Sequence, residues 1–347
     1  MKIEVLTPVH IGSGDKYLAL DYVIRGDRVV FIDSIKFFSE VEKKGLDPVE
    51  VARDVGSGGK SVEDYIDTSR IKLKELRFVG KIKRNEILMH IKSLGNSYIP
   101  GSSIKGAVRT AILWKEVKED RGLLELAIRE IKSTISNYER KEKKKMIPKK
   151  ELNRLDDKLE KEVFRKAKLV YKEDDPKNDL LRALRVYDSD SFKTSVYQIN
   201  FLGMKNFSIL AECIDPEQIA DIEMDIDDFI LQHLNQRFDF DYITTATREF
   251  AEEIVKTEIK RGYPEEAKRE FKNVLKAKGA VLRVGWGSGW YSSTIGTLLK
   301  THPEFESIRR KLGLGRNPRT GRFSKNFPLI RRVTFDNKPL GWITLYE

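Results

Sequence analysis

Tyr98-Ile99-Pro100-Gly101-Ser102-Ser103-Ile104-Lys105-Gly106-Ala107-Val108-Arg109 carries the chain from a strand into a helix. Pro100-Gly101 ends the strand, Ser102 or Ser103 is expected to cap the helix, and Ile104, Ala107, Val108, Ala111 and Ile112 recur at helical spacing. On the amino-terminal side, residues 1–11 read as a buried strand, and Tyr22 to Ile32 as two short strands turned by Gly26-Asp27. Ser34 is expected to cap a helix reaching Glu42, and Leu46 to Tyr65 contains the loop Gly56-Ser57-Gly58-Gly59, which reads as a flexible insertion more than part of a core. Strands follow near Leu76 to Ile82 and Glu86 to Ile91.

On the carboxyl-terminal side, residues 121–172 read as a charged helical hairpin broken at Pro148 and mostly solvated, with a lysine run Lys141-Glu142-Lys143-Lys144-Lys145 that is either a solvated face or a phosphate clamp. Leu180 to Asp188, Tyr197 to Phe201 and Phe207 to Ile214 read as strands, and Pro216 as opening a helix that reaches Gln236. Thr247 to Ala277 reads as helical and Val281 to Val284 as a strand. Leu329 to Tyr346 reads as a hairpin turned at Asp336-Asn337-Lys338. Two sets of alternating strands and helices predict two cores, residues 1–200 and 201–347, with the seam near residue 200.

The 65 Lys plus Arg against 54 Asp plus Glu leave a net charge of +11, which favours polyanionic partners over neutral ones, although mixed-sign ion-pair networks also raise charge content. Cys213 is the only cysteine, so neither an intrachain disulfide nor a cysteine-rich zinc site can form, and a buried thiol is expected. No signal peptide and no apolar membrane span is read in the sequence, and a cytoplasmic protein is expected.

Three constellations carry chemistry. Arg283-Val284-Gly285-Trp286-Gly287-Ser288-Gly289-Trp290-Tyr291 combines alternate glycines, which admit a phosphate or ribose close to backbone N–H groups, with rings that can stack on bases. The same residues also fit a tight turn with its tryptophans buried. The loop lacks the Lys-Ser/Thr of a Walker motif and the glycine spacing of a dinucleotide fingerprint, so no cofactor is expected. In the opening segment the helix start, the Ser102 and Ser103 hydroxyls, and Lys105 and Arg109 one turn apart read as an anion site or as an ordinary capped helix with two basic residues. Thr7-Pro8-Val9-His10-Ile11-Gly12-Ser13-Gly14 runs a strand into a glycine turn, where the lone His10 reads as structural or ligand-contacting. Catalysis by His10 is the lesser reading, for want of a visible partner.

Strand-HIGSG at the start, Tyr98 to Gly106, Leu184-Arg185-Val186-Tyr187-Asp188-Ser189 and the late Gly-Trp-Gly-Ser-Gly loop together resemble the repeat-associated mysterious protein (RAMP) superfamily over nearly the whole chain. With Phe327-Pro328-Leu329-Ile330-Arg331-Arg332 and Pro339-Leu340-Gly341-Trp342, the chain looks like the Csm-type subunit that caps the filament of type III-A CRISPR effectors. The resemblance implies an α+β fold of two ferredoxin-like, RRM-type domains with helical insertions. It further implies crRNA binding toward the 3′ end, passage of single-stranded target RNA, docking on neighbouring Csm backbone subunits, and guide maturation with trimming by other nucleases. The expected RNA contacts are His10, Ser13, Ser102, Ser103, Lys105, Arg109, Arg283, Gly285, Trp286, Gly287, Ser288, Gly289 and Trp290, with no metal. Backbone subunits of such complexes cut target RNA with a glycine-flanked aspartate. Asp21 stands in the similar place here, but Leu18-Ala19-Leu20 replaces the glycines, so a non-catalytic subunit is expected, with Asp21 and His10 as alternative catalytic residues of an endoribonuclease.

Overall fold

The computed structural model describes residues 1–82, 85–142, 147, 155–165, 169–170, 175–204, 207–233, 238–317 and 319–347. It begins with β1 (Lys2–Val5), β2 (Gly12–Tyr17), β3 (Tyr22–Arg25) and β4 (Arg28–Ile32), followed by α1 (Ser34–Lys43) and α2 (Pro48–Gly56). Next come β5 (Lys72–Val79), β6 (Ile87–His90), the short pair β7 (Lys92–Ser93) and β8 (Asn96–Ser97), then α3 (Gly101–Glu119), α4 (Arg121–Glu142) and α5 (Asp157–Phe164). Five strands follow: β9 (Leu184–Val186), β10 (Thr194–Leu202), β11 (Ser208–Ile214), β12 (Ile219–Asp221) and β13 (Met224–Ile226). The chain closes with α6 (Phe240–Glu258), α7 (Glu265–Val274), β14 (Ala280–Arg283), α8 (Phe305–Lys311), β15 (Arg331–Thr334) and β16 (Trp342–Tyr346).

These elements form an α+β fold with two main sheets. The first is antiparallel, in the order β12-β1-β16-β14. Ile104, Val108 and Ala111 of α3 and Ala246, Phe250 and Ile254 of α6 share one core with Ile3, Val5, Ile343 and Leu345 of that sheet, the two-layer plan of a ferredoxin-like domain. The second sheet runs β2-β6-β11-β10-β5-β4-β3, with β15 added to β10, and its β5–β10 and β6–β11 pairs are parallel. One hydrophobic cluster of this sheet gathers Phe78, Ile87, Val196 and Leu210 with Tyr22 of β3 and Val29 and Phe31 of β4. Another carries Tyr197, Ile199, Phe201, Ala211 and Cys213, met by Leu340 and Trp286, and this cluster positions the candidate site. Cys213 is a buried thiol, as its apolar run predicts, and burial pushes its pKa up.

Several expectations are corrected. The expected seam falls inside β10, and the amino-terminal β1 pairs with the carboxyl-terminal β16, so the two sheets draw strands from both sides of residue 200. Asp33, not Ser34, caps α1, accepting the N–H groups of Ile35 and Lys36. The Gly56–Gly59 loop is flanked by core on both sides, since Val51 and Val55 of α2, which Asp47 caps, pack with Val62, Ile66, Phe37 and Val41 in a satellite core. The stretch after Pro216 forms β12 and β13 and a single helical turn at Asp228–Leu231 instead of one long helix. The final strands are not a hairpin, because β15 joins β10 while β16 lies between β1 and β14. α4 is not mostly solvated, since Ile128, Ile131 and Ile135 pack with Ile308 of α8. The Lys141–Lys145 side chains and the Pro148 break lie outside the described residues.

Candidate nucleic-acid interface

His90 joins two of the three sequence constellations. Its Nδ1 accepts the N–H of Ile11 at 3.2 Å, which leaves the proton on Nε2, and Nε2 donates to the carbonyl of Tyr98 at 3.0 Å. Burial lowers its pKa to about 4, so the ring is held neutral. His10 is only 2% exposed and its Nδ1 donates to the carbonyl of Glu212 at 2.7 Å. Burial lowers its pKa too. The two rings lie 6.0 Å apart, edge to face. His10 is therefore a buried member of the scaffold, and its expected contact with ligand is corrected for its side chain.

The glycine loop closes onto the same place from the other end of the chain. The N–H of Trp286 donates to the carbonyl of His10 at 2.8 Å. Gly285 has φ +73°, and a Cβ there would stand 2.4 Å from the His10 carbonyl oxygen, so only glycine permits this backbone approach. Gly287 has φ +99°, and a Cβ would lie 3.0 Å from Leu340. Gly289 has φ +76° and open space around it, and Ser288 Oγ donates to the Gly285 carbonyl at 2.9 Å. Within this run, Gly285 and Gly287 serve close packing of the protein on itself, and Gly289 is the exposed one.

Two of the expected contacts in this run are internal. Arg283 is buried, donating from Nε to the Leu340 carbonyl at 2.9 Å and from Nη2 to the Gly287 carbonyl at 3.2 Å, with Glu258 Oε1 3.5 Å from its Nη1. Its role is to set the loop's shape. Trp290 packs among Tyr291, Phe305 and Phe327, at ring distances of 5.3, 5.9 and 4.9 Å, and it fills the space that a Cβ at Gly296 would need. Trp286 is half-buried, and its ring stands in T-shaped contact with those of His10 and Phe201.

The start of α3 already holds an anion of the chain's own. Pro100 stands at the cap position with no side-chain bond, and the N–H of Gly101 donates to Asp188 Oδ1 at 2.9 Å. Ile99 N–H donates to Ser189 Oγ at 2.9 Å, and Ser189 N–H returns a bond to the Ile99 carbonyl at 3.1 Å. The mid-chain Leu184–Ser189 segment is thus the counterpart that this helix start was built to meet. Lys105 Nζ donates to the Leu184 carbonyl at 2.7 Å, and burial lowers its pKa. Arg109 pairs with Glu160 at 2.8 Å and Asp179 at 3.0 Å, with its guanidinium 3.9 Å from the Phe164 ring centroid. The capping role expected of Ser102 and Ser103 is corrected, since both lie inside the first turn, Ser102 exposed and Ser103 half-buried.

Ser13 lies exposed on the edge strand β2, where its Oγ accepts the Asp15 N–H at 3.1 Å. Asp21 Oδ2 accepts the Leu18 N–H at 2.7 Å and closes the turn before β3. Among the described residues, no group of three or more His, Cys, Asp or Glu side chains is arranged to hold a metal ion.

Sequence reading missed an arginine cluster beside the glycine loop. Arg261 and Arg283 share Glu258, Arg331 donates to the carbonyls of Arg261 and Gly262, and Arg332 stands over Trp286 and Phe201. Among the described residues Glu258 is the only carboxylate paired with any of the four. The adjacent pair Arg331-Arg332 was visible in the sequence, but its convergence with residues 261 and 283 depends on β15 joining β10.

The family model of the RAMP superfamily matches residues 2–292. A protein of Methanocaldococcus jannaschii described as "CRISPR system Cms protein Csm5" is 26% identical, over 99% of this chain and 88% of its own length. A Mycobacterium tuberculosis protein of the same description is 24% identical over 56% of this chain and 55% of its own length. Among solved structures, a chain of the Csm–crRNA–target RNA ternary complex of a type III-A CRISPR-Cas system superposes with a TM-score of 0.78 at 27% identity, over 99% of both chains. The crystal structure of T. onnurineus Csm5 superposes with a TM-score of 0.71 at 26% identity, over 99% of this chain and 100% of that one. With the family's model running from β1 through the glycine loop, this chain belongs to the RAMP superfamily.

Proposed function

We propose that this chain is a crRNA-binding, non-catalytic subunit of a type III-A Csm effector complex. In this reading it caps the backbone filament, docks on a neighbouring Csm backbone subunit, contacts crRNA and single-stranded target RNA, and supports crRNA 3′-end maturation carried out by separate trimming nucleases in the cytoplasm. The observation that carries the RNA-binding part is the arginine cluster beside the glycine loop, in which Arg261, Arg283, Arg331 and Arg332 have, among the described residues, no paired carboxylate but Glu258. A local surplus of this kind attracts the phosphate backbone irrespective of base sequence. The likeness to Csm5 proteins over nearly the full chain supports the assembly part. A non-catalytic role fits a His10 ring that is buried and an Asp21 carboxylate engaged by the Leu18 N–H.

The test is to express the chain with the remaining Csm subunits and a CRISPR array, isolate the complex through a tag on this chain, and sequence the bound RNA. Recovery of crRNA with backbone subunits is expected, and deletion of this chain should leave crRNA with altered 3′ ends. Recovery of the chain alone, without RNA, would refute the assignment.

A further inference from the structure

Arg332 is the one member of the arginine cluster whose side chain makes neither an ion pair nor a hydrogen bond among the described residues, and its Nε is buried without a hydrogen-bond partner. Its guanidinium carbon lies 4.6 Å from the Trp286 ring centroid and 5.1 Å from that of Phe201, its cross-strand partner in the β10–β15 pair. The two rings are themselves 6.0 Å apart. A half-buried guanidinium without an acceptor is costly, and ring contacts offset only part of that cost. Burial, and then the neighbouring Arg283, push its pKa down, and among the described residues no carboxylate pairs with it. A side chain braced in this way by two rings, with no acceptor for its Nε among the described residues, is shaped to receive an anion.

We propose that Arg332, braced against Trp286 and Phe201, binds a backbone phosphate of single-stranded RNA beside the glycine loop 285–289. The buried Nε leaves the Nη edge for the ligand, and an arginine edge matches phosphate oxygens with short charge-assisted hydrogen bonds. A phosphate is favoured over a neutral base because Arg332 has no paired carboxylate among the described residues and the neighbouring Arg283 is also a cation. This assignment rests on the RNA-binding reading above and adds a specific contact to it.

The experiment compares the full-length chain with Arg332→Met and Arg332→Lys. It measures melting temperature, affinity for a labelled single-stranded RNA of mixed sequence across a salt series, and the melting shift given by tripolyphosphate. Arg332→Met is expected to melt at or above the unsubstituted protein, because it removes an uncompensated charge. It should bind RNA at least about 10-fold more weakly, and its log–log salt slope should be smaller by about 0.7, one phosphate contact. Arg332→Lys is expected to restore the slope and part of the affinity. Stabilisation by tripolyphosphate that Arg332→Met abolishes, in a protein that binds no RNA, would uphold the anion site while removing the RNA reading. A folded Arg332→Met protein with unchanged RNA affinity, slope and tripolyphosphate response would overturn the site. So would a lowered melting temperature with an unchanged slope, since that is the signature of a purely structural arginine.

Discussion

The Nδ1 of His90 accepts the backbone N–H of Ile11, and this bond fixes both the tautomer of the ring and the path of the chain as it leaves Val9 for the exposed strand β2. Burial disfavours a charged ring here and lowers its pKa to about 4, and protonation would also forfeit that acceptor. The unfolded chain takes up this proton near pH 6.5, well before the folded one does, so stability is full above that pH and falls progressively down to about pH 4. The loss amounts to roughly 3 kcal/mol at its limit, and His10, lowered in the same direction, adds to it. Urea unfolding at pH 7.5 and pH 5 is the measurement. His90→Gln should be less stable at pH 7.5 but lose less on acidification than the unsubstituted protein, and an equal loss in both would show that the ring is not the titrating group.

The glycine loop offers a contrast between two positions with similar backbone angles. A Cβ at Gly285 collides with the His10 carbonyl at 2.4 Å, whereas one at Gly289 meets open space. Gly289→Ala is expected to cost about 1 kcal/mol, the penalty of a positive φ alone. Gly285→Ala adds backbone overlap and is expected to cost roughly 3 kcal/mol or more. Thermal melts of the two variants decide the matter. Equal melting temperatures would mean that the 10–285 contact is not maintained in solution.

Lys105 and Arg109, read from the sequence as phosphate ligands, have their polar groups turned inward. Arg109 bridges Glu160 of α5 and Asp179 and covers the ring of Phe164. Arg109→Ala is therefore expected to destabilise the fold by about 1–3 kcal/mol while changing RNA affinity by less than about twofold. A double-mutant cycle with Asp179→Ala should return a coupling of roughly 0.5–2 kcal/mol. Loss of RNA affinity with unchanged stability would restore the phosphate-ligand role.

What the sequence made legible was local. Gly26-Asp27 between apolar runs placed the β3–β4 turn, and the spacing of Ile104, Val108, Ala111 and Ile112 placed the buried face of α3. What it concealed was pairing across the chain. Pro216 resembles a helix opener, yet Glu217 adopts φ +65° and the backbone doubles back so that β12 can pair with β1, whose partners lie more than two hundred residues away. The candidate site shows the same division. The glycines and tryptophans of residues 285–290 were conspicuous as motifs, but which glycine is open and which tryptophan is packed depends on Leu340, His10 and Phe327. Arg331-Arg332 was visible as a pair, but that the Arg332 Nε is left without a partner among the described residues depends on the Trp286 and Phe201 rings that surround it.

The nuclease alternative rests on Asp21, and its geometry allows a clean test. The Asp21 carboxylate accepts the Leu18 N–H at 2.7 Å, and the Asp21 N–H donates to the Leu18 carbonyl at 2.9 Å, so the side chain closes the turn that leads into β3. Asparagine keeps an oxygen able to accept that bond but removes the charge that a metal ligand or general base would need. Asp21→Asn is therefore expected to fold with a stability change under about 1 kcal/mol. It should also leave the rate and position of target-RNA cleavage by the assembled complex unaltered. Asp21→Ala should lose stability by up to about 1.5 kcal/mol, again without touching cleavage. The assay must resolve individual cut sites, because one missing cut among several would be hidden in a total rate. If a single cut vanished in Asp21→Asn while the complex remained intact, the carboxylate itself would be acting on RNA and this subunit would have to be counted among the nucleases.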